Sequence, residues 1–287
     1  MGFKNLIIGS NGYIGRFLLK ELRDLDQEVI CISSGEDSGI SLDTGLFSSD
    51  FSLPSDIDTV YYLAQSPRYR DMPQQSPHLL SVNCISAVQA AEAARKAGVR
   101  RFIYASTGNV YEHSFLPLSE KAPVNRRDWY ALSKVMAEDA LDLYRPYIDI
   151  TTARIFGVYG PYQTNKLVPM LAERLLKKED ILLDRNLSDP DDLDGLVVSL
   201  IYIDDLVKCL VQLKDIKDCN TINIAGTEGV SVRRLSTALA LHLGLTPRFV
   251  VRDVYRHFNL ISDGCIQSER LNVPLVSLSE GISRLVY

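Results

Sequence analysis

Leu6-Ile7-Ile8-Gly9-Ser10-Asn11-Gly12-Tyr13-Ile14-Gly15 is the stretch on which the fold turns. An apolar run ends at Gly9, and from Tyr13 to Leu25 apolar side chains recur at helical spacing: Ile14, Phe17, Leu18, Leu22 and Leu25. The segment therefore predicts a strand, a glycine-bearing turn and a helix. Glycines there permit a tight turn, close approach of backbone to a pyrophosphate and close helix packing, while the helix N-terminus supplies free N–H donors and a positive dipole. Many ordinary turns carry such glycines; the position between strand and helix is what points to dinucleotide binding.

Outward from this unit the alternation continues. Val29-Ile30-Cys31-Ile32 and Val60-Tyr61-Tyr62-Leu63-Ala64 are further apolar runs, and an Ala-rich helical segment from Leu79 to Ala97 closes at Gly98. Phe102 to Ala105 follows as a strand, then a helix from about Asp128 to Tyr144 stopped by Pro146, then a strand from about Ile150 to Ile155. Such alternation predicts an α/β fold, a doubly wound parallel sheet of the Rossmann type covered on both faces. Beyond Gly160-Pro161 the pattern changes. Leu167 to Lys177 reads as helix, Asp184 to Gly195 as a polar loop, Val197 to Ile203 as strand, Asp205 to Leu213 as helix, Thr221 to Ile224 as strand, and Ser231 as the N-cap of a helix ending near Gly244. We expect residues 1–155, with about 197–222, to form a dinucleotide-binding lobe, and 156–196 with 223–287 a smaller α/β substrate lobe.

At 287 residues, 46% hydrophobic and 23% charged, the chain can bury a substantial core. Its net charge of −5 and lack of a dense Lys/Arg run argue against a nucleic-acid partner. The five cysteines and four histidines show no ligand spacing, so no metal site and no disulfide framework are expected. No segment is apolar enough to span a bilayer, and the start of the chain lacks signal-peptide character, which points to the cytoplasm.

Tyr130-Ala131-Leu132-Ser133-Lys134 sets a phenol and an amine four residues apart on one helix face. A phenol with its ordinary pKa of about 10 is a poor base at neutral pH, but a neighbouring ammonium and an oxidised nicotinamide both favour the phenolate. Tyr and Lys at this spacing are common, and context decides. Ahead stands Tyr104-Ala105-Ser106-Thr107-Gly108-Asn109-Val110-Tyr111; behind come Arg154-Ile155-Phe156-Gly157-Val158-Tyr159-Gly160-Pro161 and Tyr202-Ile203-Asp204-Asp205-Leu206. With the Gly-x-x-Gly-x-x-Gly spacing, these ordered segments resemble the extended short-chain dehydrogenase/reductases, in their NAD-dependent epimerase/dehydratase branch.

The resemblance implies catalytic roles for Thr107, Tyr130 and Lys134. It implies a dinucleotide held by Gly9, Asn11, Gly12, Tyr13, Ile14, Gly15 and Arg16, by Ser33 and Ser34 after the second strand, by Asp43, by Leu63, Ala64, Gln65 and Asn83, and by Tyr130 and Lys134, with Lys134 on the nicotinamide ribose. An acid normally follows the second strand in NAD-preferring sites. Ser33-Ser34 stands there instead, and Arg16 is near enough to meet a 2′-phosphate, so NADP is slightly favoured over NAD. The helices from Leu79 to Ala97 and from Asp128 to Tyr144 resemble those that pair in the family's dimers, implying a homodimer.

The departures from the family bear on chemistry and substrate. Its dehydratases carry an acidic pair after the catalytic Ser/Thr, where this chain has Gly108 and Asn109, and neither transfers protons as a carboxylate does. Sugar-nucleotide members commonly have Asn where Gly157 stands and Arg where Val198-Ser199-Leu200 stands. Arg68 and Arg70 after the third strand, and Arg252 and Arg256, are candidate replacements, beside Asn109 and Gly157, for substrate binding. The leading expectation is an epimerase of a nucleotide-activated sugar, working through a transient ketone. The alternatives are an NADP-dependent reductase of a non-nucleotide carbonyl and, from a different class, a non-catalytic cofactor sensor, which the retained Tyr130, Lys134 and Thr107 disfavour.

Overall fold

Apolar strands that alternate with amphipathic helices have nowhere to bury both faces except inside a layered sheet, and this is the arrangement in the computed structural model, which describes residues 4–34 and 39–286. The first part of the chain runs β1 (Lys4–Ile8), α1 (Tyr13–Asp24), β2 (Val29–Ile32), β3 (Ile57–Tyr62), α2 (Ser76–Leu80), a π-helical turn (Ser81–Ile85), α3 (Ser86–Ala97), β4 (Arg101–Thr107), α4 (Trp129–Asp142) and β5 (Asp149–Ile155). The second runs β6 (Gly157–Tyr159), α5 (Leu167–Leu176), β7 (Ile181–Asn186), β8 (Val197–Tyr202), α6 (Ile203–Leu213), β9 (Thr221–Ile224), β10 (Gly229–Ser231), α7 (Val232–Leu243), β11 (Phe249–Arg256), α8 (Cys265–Arg270) and α9 (Leu278–Ser283).

Six strands form a parallel sheet in the order β2-β1-β3-β4-β5-β9. The chain leaves β1 toward one edge and returns on its other side at β3, so the crevice beyond the carboxyl ends of β1 and β3 is the topological switch point where ligands of such sheets bind. Every residue of β4 is buried, as a central strand packed on both faces requires. Ile7, Leu18, Leu22, Tyr61 and Ile103 join one side of the core, and Leu6, Val60, Ala87, Ala91 and Phe102 the other.

The sequence reading assigns 197–222 to the large lobe, and the structure divides that stretch. Helix α6 packs on α1, but β8 pairs in parallel with β6 and antiparallel with β10 in a separate three-stranded sheet. A second difference lies at Asp184, where the polar composition predicts loop. Residues 181–186 form β7 and pair in parallel with β11, so the loop proper begins after Asn186. Among the described residues no helix is long and apolar enough to cross a membrane, and no cluster of His, Cys, Asp and Glu is arranged to hold a metal.

Candidate active site

The glycine turn is shaped by contacts that leave no room for side chains. Gly9 has φ +93°, and a Cβ there would stand 2.8 Å from the Ala64 nitrogen at the end of β3. A Cβ on Gly15 would lie 2.3 Å from the Gly9 carbonyl oxygen, so the first turn of α1 sits directly against the β1 turn. The Gly12 N–H donates to the Gly9 oxygen at 3.1 Å and closes the turn. Tyr13 ties it to the second half of the chain, its hydroxyl donating to the Pro161 carbonyl at 3.2 Å.

Above this turn opens a cavity of about 840 Å³. Of the residues singled out for the dinucleotide, Gly9, Asn11, Gly12, Tyr13, Ile14, Gly15, Arg16, Ser33, Ser34, Leu63, Ala64, Gln65, Tyr130 and Lys134 line it. Ser33 is buried, and its hydroxyl has no hydrogen-bond partner, which suits a group that accepts or donates from the cavity side. A backbone cradle that a Cβ would fill and an orphaned hydroxyl at the end of β2 together fit a dinucleotide. Asp43 and Asn83 do not reach the cavity. Asp43 lies in an exposed turn whose backbone N–H donates to Ser41. Asn83 is buried behind α4, where it accepts from the Ser66 N–H at 3.1 Å and donates to Ser133 Oγ at 2.9 Å; Ser133 in turn donates to the Tyr130 carbonyl at 2.8 Å. It anchors the helix that carries the tyrosine.

Thr107 ends β4 and caps a short 3₁₀ turn, its hydroxyl oxygen accepting from the Asn109 N–H at 3.2 Å. Asp128 caps α4 by accepting from the Ala131 N–H at 2.9 Å, which puts Tyr130 in the first helical turn, where the helix dipole favours an anion. The Tyr130 hydroxyl donates to Gln65 Oε1 at 3.1 Å. Burial pushes its pKa up to about 12, against the opposing hydrogen bond from Thr107. One turn on, Lys134 is buried and donates to the Ala105 carbonyl at 2.9 Å, with its ammonium 4.9 Å from the centre of the Tyr104 ring. Burial lowers its pKa to about 8, and Glu138, a turn further, works to raise it. Glu138 receives Ser106 and pairs with Arg154 at 2.6 Å, and Arg154 also donates to the Tyr111 hydroxyl at 3.1 Å. This buried network joins β4, α4 and β5 immediately behind Lys134.

The residues proposed for substrate divide. Asn109 and Gly157 line the cavity. A Cβ on Gly108 would meet the Phe156 ring at 3.0 Å, a tight contact at the position where a dehydratase acid would stand. A Cβ on Gly157 would meet Leu200 Cδ2 at 2.7 Å, so Leu200 fills the space of the usual Asn. Arg68, Arg252 and Arg256 do not line the cavity. Arg68 donates to Gln75 and to the Leu42 carbonyl, Arg252 pairs with Asp184 at 2.6 Å, and Arg256 is buried against Asp192. The acidic stretch thus neutralises Arg252 and Arg256, the two candidates of its own lobe. Side chains that sequence reasoning missed, Val198, Leu200, Leu260, Lys166 and His78, complete the wall. Only the alternation along β8 hinted at any of them.

The NAD dependent epimerase/dehydratase family model matches residues 5–225. UDP-glucose 4-epimerase of Mycolicibacterium smegmatis is 28% identical over 248 residues, covering 80% of this chain and 75% of that protein. Among solved structures, MoeE5 in complex with UDP-glucuronic acid and NAD superposes with a TM-score of 0.79 at 23% identity, over 98% of this chain and 97% of the other. TunA, an NAD dependent NDP-hexosamine 5,6-dehydratase, gives 0.77 at 22% identity, over 98% and 95%. Both neighbours are described with NAD, so the lean toward NADP drawn from Ser33 finds no support in them. With the family model spanning most of the sheet and the motifs in place around one cavity, the chain belongs to the NAD dependent epimerase/dehydratase family.

Proposed function

We propose that this protein is an NAD-dependent sugar epimerase that works by transient oxidation of a ring carbinol to a ketone. The observation that carries this reading is the composition of the cavity wall: Thr107, Tyr130 and Lys134 converge on it, and among its described lining residues there is no Asp or Glu. Elimination of water from a sugar needs an acid for the departing hydroxyl and a base for the adjacent carbon. Gly108 and Asn109 supply neither, which favours epimerisation over the dehydration carried out by TunA.

When bound, the dinucleotide supplies the hydride acceptor and, on the return, the hydride donor. Tyr130 as phenolate would take the proton of the reacting hydroxyl. Thr107 donates a hydrogen bond to the same oxygen as it becomes a carbonyl. Lys134, held at the Ala105 carbonyl one helical turn on from Tyr130, would hold the ribose hydroxyls of the dinucleotide, while the hydrogen bond from Thr107 opposes the effect of burial on the phenol. Once the ketone has presented its other face to the dinucleotide, Tyr130 would give its proton back to the same oxygen, with no net redox change. Gln65, which accepts from Tyr130, orients the hydroxyl before substrate enters.

Purified protein tests this directly. It should retain NAD and convert one sugar epimer into a mixture of two without net NADH production; stoichiometric NADH consumption, or a product lighter by one water, would contradict it. A second reading, a reductase of a non-nucleotide carbonyl, is favoured by one observation: among the described lining residues the only arginine is Arg16, on the dinucleotide side. We also propose a homodimer through α3, α4 and the turn before α3, where Ile85 and Met136 remain 49% and 42% exposed. Light scattering in solution checks it.

A further inference from the structure

Five arginines of the substrate lobe are paired with its own carboxylates: Arg233 with Asp194, Arg234 with Glu228, Arg248 with Asp180, Arg252 with Asp184 and Arg256 with Asp192. Two cations beside the reacting tyrosine are not. Arg70, in the loop after β3, donates to the Asn165 carbonyl at 2.8 Å, and Lys166, at the start of α5, reaches the Tyr69 hydroxyl at 3.2 Å. Neither has a carboxylate within ion-pair distance among the described residues. Both face one ring: the Arg70 guanidinium lies 5.4 Å and the Lys166 ammonium 5.2 Å from the centre of Tyr69. Tyr69 in turn packs against Tyr130, ring centres 5.8 Å apart. Of Arg70, Lys166 and Tyr69, Lys166 lines the cavity, and Arg70 is exposed beyond its lining, held to it through Asn165 and Tyr69. A pair of uncompensated cations fixed to an aromatic ring, one ring away from the acid–base group, is a site for an anion.

We propose that Arg70 and Lys166 bind an anionic group that the substrate carries on its sugar, a carboxylate or a phosphate, close to the carbinol that Tyr130 deprotonates. The substrate class is therefore an acidic sugar. This rests on the reading of Tyr130 as the acid–base group only in placing the anion relative to the chemistry. The phenol of Tyr69 fits the same role: burial works to raise its pKa, but the hydrogen bond and charge of Lys166 hold it below the ordinary value, as expected in a strongly positive pocket.

Trp129, the single tryptophan of the chain, immediately precedes Tyr130 and reports binding by fluorescence. Protein loaded with NAD is titrated with D-glucuronate, D-glucose 6-phosphate, D-glucose and UDP, as wild type and as Arg70→Ala, Lys166→Ala and the double variant. We expect glucuronate or glucose 6-phosphate to bind at least about tenfold more tightly than glucose, with the double variant removing that preference and added salt weakening it. Which acid prevails distinguishes carboxylate from phosphate. Equal binding of glucose and both acids overturns the proposal, as does an acid preference that survives in the double variant. Loss of UDP binding in the variants with no acid preference in the wild type also overturns it, assigning the pair to a diphosphate. A Tyr130→Phe variant separates the two readings, because it should lose turnover and keep the acid preference; turnover retained in it would sink the epimerase mechanism while leaving the anion site standing.

Discussion

At the end of β1 the cavity wall is almost pure backbone, whereas at β8 it is aliphatic side chain. In the first region Gly9, Gly12 and Gly15 bring peptide groups to the surface: a Cβ on Gly9 or Gly15 would strike Ala64, Gly9 or Ser10, and one on Gly12 would press on the Gly9 oxygen. In the second, Val198 and Leu200 face inward, with Leu260 beside them. The comparison teaches that one cavity is built on two principles. Its dinucleotide side recognises through main-chain donors and a helix dipole, which require a fixed fold and few particular side chains. Its substrate side recognises through whichever side chains the lobe leaves unpaired, and the acidic stretch from Asp184 to Asp194 takes up Arg233, Arg252 and Arg256.

The largest expected effect falls where the two regions meet. Tyr130→Phe should lower kcat by about 10²–10⁴ with a far smaller effect on NAD affinity, since it removes the proton-transferring hydroxyl and keeps the ring that lines the cavity; steady-state rates and NAD titration measure both. Next is the network behind Lys134. Glu138→Ala leaves Arg154, which is only 8% exposed, without its carboxylate, and should cost about 3–5 kcal/mol in urea unfolding. A cost below about 1 kcal/mol would mean that this pair does not brace the site.

Lys134 gives a signed prediction. Its pKa of about 8 in the folded chain lies below the ordinary 10.5, so the unfolded chain holds more protons between those values and stability rises as pH climbs through that window. Lys134→Met should be more stable than wild type by about 1–3 kcal/mol near neutral pH, with the advantage fading above 10.5, and should lose turnover. A variant less stable at neutral pH would show that the hydrogen bond to Ala105 outweighs burial. The smallest effect is expected at Arg252. Its pair with Asp184 is partly exposed, so Arg252→Ala should cost under about 1 kcal/mol and shift KM by less than about twofold. A tenfold rise in KM would bring Arg252 into the substrate site and erase the contrast between the regions.

What the sequence determined by itself was everything encoded over short range. The strand, glycine turn and helix at 6–25, the Tyr130/Lys134 face of α4 and the Thr107 strand end are patterns of adjacent or one-turn neighbours, and the parallel sheet follows from their alternation. Asn83 was legible as a special position, but its partner is Ser133 on another helix, so its task of anchoring α4 was not. The strand at 181–186 was hidden because Asp184 and Arg185 look like loop until β11 pairs beside them and Arg252 meets Asp184. Only the tertiary structure decided which arginines are free. Asp184, Asp192 and Asp194 claim Arg252, Arg256 and Arg233 from across the lobe, and Arg70 meets Lys166 around Tyr69 from far along the chain. The reason is physical: a helix or turn is selected by near neighbours, but an ion pair forms between whichever charges the fold brings within a few ångströms, and no local pattern records that distance.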